Sequence, residues 1–213
     1  MLVPGATVVC LALLAFTTDA VSSPVSKVSC DPTAGVVRVV GAGSDYAVVG
    51  YRSDDRAVWV DNLIAINTHG DTRHDRRLCP NPNATWNRIE LNLGSGKDTT
   101  DPSGDRPDFA AVPAEIEMLI KGGRQIDELY GHNGPDEIIG GRGRDYLLGR
   151  DGDDRLVGGI GDDEIVGFDG DDQIDAADGI KDQVLCGKGD DTAVVDSEDR
   201  PKDCETVKSR SPS

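Results

Sequence analysis

The chain has 213 residues, with 39 acidic against 22 basic side chains and a formal net charge of −17. Such an acidic balance disfavours phosphate backbones and anionic lipid as partners. The acid is unevenly placed: residues 21–121 carry 11 basic and 14 acidic groups, residues 122–213 carry 11 and 24, so the second half should repel itself and expand unless cations bind.

Residues 1–22 read as a secretory signal, with an apolar run from Val8 to Phe16 and small-residue cleavage options after Ala20 or Ser22. The run is too short to span a bilayer. No Lys or Arg precedes it, so a buried first strand is the rival reading. Export to an extracellular, oxidising compartment would leave Cys30, Cys79, Cys186 and Cys204 as an even set suited to disulfides, and no C-x-x-C spacing points to zinc instead.

Residues 23–121 predict a β-rich amino-terminal region. Gly35–Val40, Tyr46–Val49, Ala57–Val60, Leu63–Asn67 and Arg88–Leu93 are strand-like by branched residues or alternation. Pro102, Pro107 and Pro113 with their Gly, Ser and Asp neighbours mark the candidate boundary with the glycine-rich half of the chain. His69 and His74 lie near Asp71 and Asp75, but no G-x-S-x-G or H-E-x-x-H motif accompanies them, so no catalytic residue is assigned.

From Gly122 to Asp175 the chain is six consecutive nine-residue units: GGRQIDELY, GHNGPDEII, GGRGRDYLL, GRDGDDRLV, GGIGDDEIV and GFDGDDQID. Glycine opens each unit, aspartate is sixth in each, and Leu or Ile is eighth in each. Glycines let the backbone turn through positive φ, and the last three residues suit a short strand. A side-chain period of two then puts Leu129, Ile138, Leu147, Leu156, Ile165 and Ile174 in one inner stack, with Tyr130, Ile139, Leu148, Val157 and Val166 facing outward. Glycine alternates with a bulky residue at the second position, where His132 reads as a loop residue, so the full repeat is eighteen residues.

The units resemble the calcium-binding nonapeptide of the RTX, or haemolysin-type, repeat family, G-G-x-G-x-D-x-U-x with U a large aliphatic residue. The resemblance implies an all-β fold, a right-handed parallel β-roll or β-solenoid with two repeats per turn. It implies two rows of stacked carboxylates, Asp127, Asp145 and Asp163 on one edge and Asp136, Asp154 and Asp172 on the other. In the family each calcium ion lies between loops one turn apart, which here pairs Asp127 with Asp145, Asp136 with Asp154, Asp145 with Asp163, and Asp154 with Asp172. The expected ligands are those carboxylates with Asp182 and Asp191, together with loop carbonyls at Gly134, Gly143, Gly152, Gly161 and Gly170. Calcium takes six to eight oxygens, whereas magnesium prefers octahedral sites that keep their waters. Several calcium ions are therefore expected.

GAGSDYAV at 41–48 and GSGKDTT at 94–100 keep G-x-G-x-D and read as degenerate copies. After Asp175, the segment 177–185 carries Asp182 one place late, as if one residue were inserted, and CGKGDDTAV at 186–194 is regular again. Cys186 and Cys204 are eighteen residues apart, one turn of the proposed coil, which pairs them and leaves Cys30 with Cys79. The roll is thus expected over 122–194, with a cap and tail over 195–213 that frays from Lys208. The expected activity is calcium binding coupled to folding in a secreted protein. The rivals are a small hydrolase that carries the roll as an appendage, and an adhesion module for a protein or glycan partner.

Overall fold

A computed structural model describes residues 25–41, 46–52, 57–64, 73–79, 86–101 and 112–211. The expected signal segment, His69 and Asp71 lie outside them. The amino-terminal strands are β1 (Val25–Asp31), β2 (Val36–Gly41), β3 (Tyr46–Arg52), β4 (Ala57–Ile64), β5 (Arg73–Cys79), β6 (Arg88–Ser95), β7 (Thr99–Asp101) and β8 (Glu117–Arg124). The carboxy-terminal strands are β9 (Glu128–Tyr130), β10 (Asp136–Arg142), β11 (Tyr146–Asp151), β12 (Arg155–Ile160), β13 (Glu164–Asp169), β14 (Gln173–Asp175), β15 (Gln183–Lys188), β16 (Thr192–Val195), β17 (Arg200–Lys202) and β18 (Thr206–Ser209). No helix among the described residues is long and apolar enough to cross a membrane.

The strands form two sheets, ordered β1-β2-β6-β8-β10-β12-β14-β16-β18 and β17-β15-β13-β11-β9-β7-β3-β4-β5. Between β8 and β18 the chain alternates from one sheet to the other, every pairing is parallel, and the coil is a solenoid of stacked turns. The registers Glu128↔Tyr146↔Glu164 and Glu137↔Arg155↔Gln173 fix a turn at eighteen residues. Glu164 then pairs with Gln183 and Gln173 with Thr192, so the next turn has nineteen, as the late Asp182 implies. In the last, Gln183 pairs with Arg200, a step of seventeen, and Thr192 with Thr206, a step of fourteen.

Each short strand has one fully inward aliphatic side chain. Leu129, Ile138, Leu147, Leu156, Ile165 and Ile174 are all at most 1% exposed, and burying each contributes roughly 1.5–3 kcal/mol. The outward ninth positions are half-buried, except Val166, which is buried. In the first sheet the inner column runs Val39, Leu91, Ile120, Ile138, Leu156, Ile174, Ala193.

Parallel stacking extends upstream of the repeats, since β2 pairs with β6, β6 with β8, and β3 with β7. The GSGKD segment is a rung loop: Gly94 is in register with Gly123. These turns are richer in apolar contacts, because β6 buries Ile89, Leu91 and Leu93 where β12 buries Leu156 alone among its large side chains. Antiparallel strands then close the amino-terminal end, β1 on β2 in one sheet and β3-β4-β5 in the other. Two features differ from the expectation. Ala57–Val60 and the start of the next strand-like segment merge in β4, and β1 and β5 were not anticipated. The segment RHDRRLC of β5 has neither branched residues nor alternation, and takes its form from pairing with β4.

Both disulfides form. Cys30–Cys79 joins β1 to β5, the outermost strands of the two sheets, with Cα atoms 5.7 Å apart, so it staples the open end shut. Cys186–Cys204 has a Cα separation of 5.1 Å. Because the local step is seventeen residues, Cys204 lies one residue beyond the strict stacking position and the bridge runs diagonally. The chain-entropy model assigns about 4 kcal/mol to the longer loop and about 3 to the shorter. The expected fray from Lys208 is corrected: Lys208 and Ser209 belong to β18, and the Arg210 guanidinium donates to both Asp175 carboxylate oxygens at 2.7 and 3.0 Å.

Candidate metal centre

The glycine positions are set by how closely successive loops approach. A Cβ on Gly140 would fall 2.6 Å from both the Asp145 Oδ2 and the Gly158 carbonyl oxygen, so only a bare Cα fits. Gly143 adopts φ +147° with its Cα against the Gln125 carbonyl one turn back. The same contact sets the Gly134, Gly143, Gly152 and Gly170 carbonyls against the fourth residues of the next turn, Gly152, Gly161, Gly170 and Gly189. Loop carbonyls are thereby lined up along each edge of the roll.

The sixth-position aspartates form two ladders. On one edge the backbone N–H groups of Asp98, Asp127, Asp145, Asp163 and Asp182 donate to Oδ1 of Asp127, Asp145, Asp163, Asp182 and Asp199 at 2.7–3.0 Å. On the other, Asp136, Asp154 and Asp172 donate to Oδ1 of Asp154, Asp172 and Asp191 at 2.8–2.9 Å, and Asp191 donates to Glu205 Oε2. One carboxylate oxygen per residue is thus used to hold the preceding turn. The other, Oδ2, is buried without a hydrogen-bond partner in Asp127, Asp145, Asp154, Asp163, Asp172, Asp182 and Asp191.

An orphaned buried carboxylate oxygen is costly, and the carboxyls respond as burial requires. Desolvation pushes Asp145 up to about 6, Asp127, Asp163 and Asp172 to about 7, and Asp154 and Asp182 to about 8. For Asp154 the charges of Asp136, Asp172 and Asp153 add to burial. A column of inward carboxylates with unused oxygens, flanked by bare carbonyls, is a donor set for a hard cation. Among the described residues no three His, Cys, Asp or Glu side chains converge on one point, so an ion held here must draw on the backbone as well.

The edges differ in charge. The loops that carry Asp154, Asp172 and Asp191 also carry Asp151, Asp153, Asp169, Asp171 and Asp190, and Asp171 and Asp190 donate backbone N–H groups to the carboxylates of Asp153 and Asp171. Lys188 Nζ is one local counter-charge, 2.8 Å from both Asp169 oxygens, and Arg150 lies in the same set of loops. The opposite edge stacks Arg124 on Arg142 and holds Gln125 at φ +80° in place of the fourth glycine.

Asp136 departs from the other ladder members. His132, expected to be an ordinary loop residue, is 2% exposed and turned inward. Its N–H donates to Asp136 Oδ2 at 2.6 Å, its Nδ1 lies 2.7 Å from Oδ1, and its Nε2 lies 3.2 Å from the Pro113 carbonyl. Sequence reasoning missed this role, along with Asp98, Asp199 and Glu205 as ladder members. The G-x-G-x-D of 94–98 carried the signal for Asp98. Asp199 and Glu205 lie in loops without the motif, and only the register reveals them.

Residues 119–147 and 148–180 match the family model of the RTX calcium-binding nonapeptide repeat, in four copies. No curated protein and no solved structure matches the chain. Residues 119–180 are therefore an RTX repeat array folded as a parallel β-solenoid.

Proposed function

We propose that the chain is a secreted, non-catalytic calcium-binding module whose repeat half folds on the ion. Calcium would lie between successive loops along each edge, held by Asp127, Asp145, Asp163 and Asp182 on one side and Asp154, Asp172 and Asp191 on the other. Carbonyls of Gly134, Gly143, Gly152, Gly161 and Gly170 would complete the sets, and Asp98 extends the first row toward the amino terminus. The ion supplies positive charge to oxygens that the fold has already removed from water, so its binding free energy becomes folding free energy. Seven buried Oδ2 atoms without partners carry this reading. The two disulfides and the repeat family agree with an extracellular setting, where calcium sites typically work at about 10⁻⁴–10⁻³ M.

Circular dichroism of chelator-treated protein, titrated with calcium and separately with magnesium, tests the proposal. Calcium in the millimolar range should restore β signal and release heat on binding, and magnesium at the same concentration should do neither. An unchanged spectrum with no heat of binding would refute it.

A further inference from the structure

The column to which Asp136 belongs changes chemistry at that residue. Val37, Ile89, Met118 and Asp136 stand in successive register positions of the first sheet, and Asp154, Asp172 and Asp191 continue the line. Asp136 therefore has an apolar side chain on one side and a carboxylate on the other. The turn before it offers no glycine loop on that edge: the segment packed there is 112–116, from which Pro113 meets His132.

The loop 131–136 is also built differently. The second residue of the other five repeats, Gly123, Gly141, Arg150, Gly159 and Phe168, has positive φ in each, whereas His132 does not. With ordinary backbone geometry the His132 N–H turns onto Asp136 Oδ2, the atom that is left without a partner in the six later aspartates of the ladders, from Asp145 to Asp191. The imidazole follows it inward. A carbonyl oxygen can only accept, so Nε2 carries a hydrogen toward Pro113, and the hydrogen between Nδ1 and Oδ1 is shared with Asp136. Both Asp136 oxygens are thereby satisfied by His132.

We infer that His132 takes the place of an ion: it closes Asp136 to calcium, so metal loading on this edge begins at Asp154, one turn after the repeats begin. This inference rests on the calcium reading proposed above. The Asp136 and Asp154 pairing implied by the repeat pattern is then not a full site, and the loop 131–136 is complete without metal. His132 acts as a positioning residue that joins the apolar turns to the ion-dependent ones.

Carboxyl ¹³C and imidazole ¹⁵N resonances of the full-length chain, followed through a titration with calcium chloride, test this directly. In the wild-type protein the Asp154 and Asp172 carboxyl signals should move with calcium while those of Asp136 and the His132 ring stay fixed. In His132→Gly, which removes the imidazole and allows the positive φ that the other five second positions adopt, the Asp136 signal should become calcium-dependent and the ion count should rise by one per chain. An Asp136 signal that moves in step with Asp154 in the wild-type protein would overturn the inference, and this arm needs no variant to fold. It would equally be overturned by a folded His132→Gly chain with the same ion count and an inert Asp136. If no aspartate signal moves, the calcium reading itself fails.

Discussion

The amino-terminal turns and the repeat turns share one pair of sheets but solve the same packing problem with different chemistry. At the position where β2, β6 and β8 present Val37, Ile89 and Met118, β10 and the strands and loops beyond it present aspartate. β6 buries three large aliphatic side chains, whereas β12 and β14 bury one each. Each repeat turn therefore buries fewer large aliphatic side chains than the turns before it. On the calcium reading proposed above, the acidic turns depend on the ion that binds between them, and the apolar turns are the platform that carries them.

The glycines break this comparison most severely. Gly140→Ala puts a methyl against Asp145 Oδ2 and the Gly158 carbonyl, and should destabilise the roll by about 3 kcal/mol as an overpacking defect. Gly94→Ala, among the apolar turns, meets only the Gly41 carbonyl at 3.5 Å. Its cost should be the left-handed φ of +95° alone, about 1–2 kcal/mol. Calcium-saturated melting curves of the two variants check the order.

The two edges offer a subtler test. Asp154 stands among Asp136, Asp153 and Asp172, while burial alone raises Asp145. Where carboxylates repel one another most, a cation gains most. Asp154→Ala should therefore raise the calcium midpoint for folding several-fold more than Asp145→Ala does, and equal shifts would remove the claim of unequal edges.

Acid should partly replace the ion, with a smaller effect. Six ladder carboxyls, Asp127, Asp145, Asp154, Asp163, Asp172 and Asp182, lie at about 6 to 8 in the folded chain against an ordinary 3.8. The folded state thus binds more protons than the unfolded state throughout that window, so metal-free stability rises as pH falls from about 8 to about 4 and levels off below it. Chelated protein should regain part of its β signal on acidification, and the calcium midpoint should rise as protons compete for the same oxygens. A metal-free β signal that falls steadily with acid would contradict this.

Much of the carboxy-terminal architecture was legible because one residue type recurs at one place. An aspartate and an aliphatic residue repeated every nine positions fix the strand phase, the inner stack and the two ladders, and the late Asp182 even showed where a turn lengthens. The amino-terminal region lacked that redundancy. β5 owes its form to pairing with β4, and the apolar column of Val37, Ile89 and Met118 is assembled across gaps of 52 and 29 residues that no period announces. His132 was illegible for another reason: its role comes from a backbone angle and from contact with Pro113 in the preceding turn, neither of which the repeat pattern encodes.

Residue-resolved hydrogen exchange with and without calcium tests the division into two regions most directly. In chelator, the amides of β2, β6 and β8 should stay protected while those of β12, β13, β14 and β15 exchange freely, and calcium should restore protection from β12 onward. Equal protection along the whole solenoid in chelator, or its loss from both regions together, would contradict a self-sufficient apolar platform that carries an ion-dependent roll.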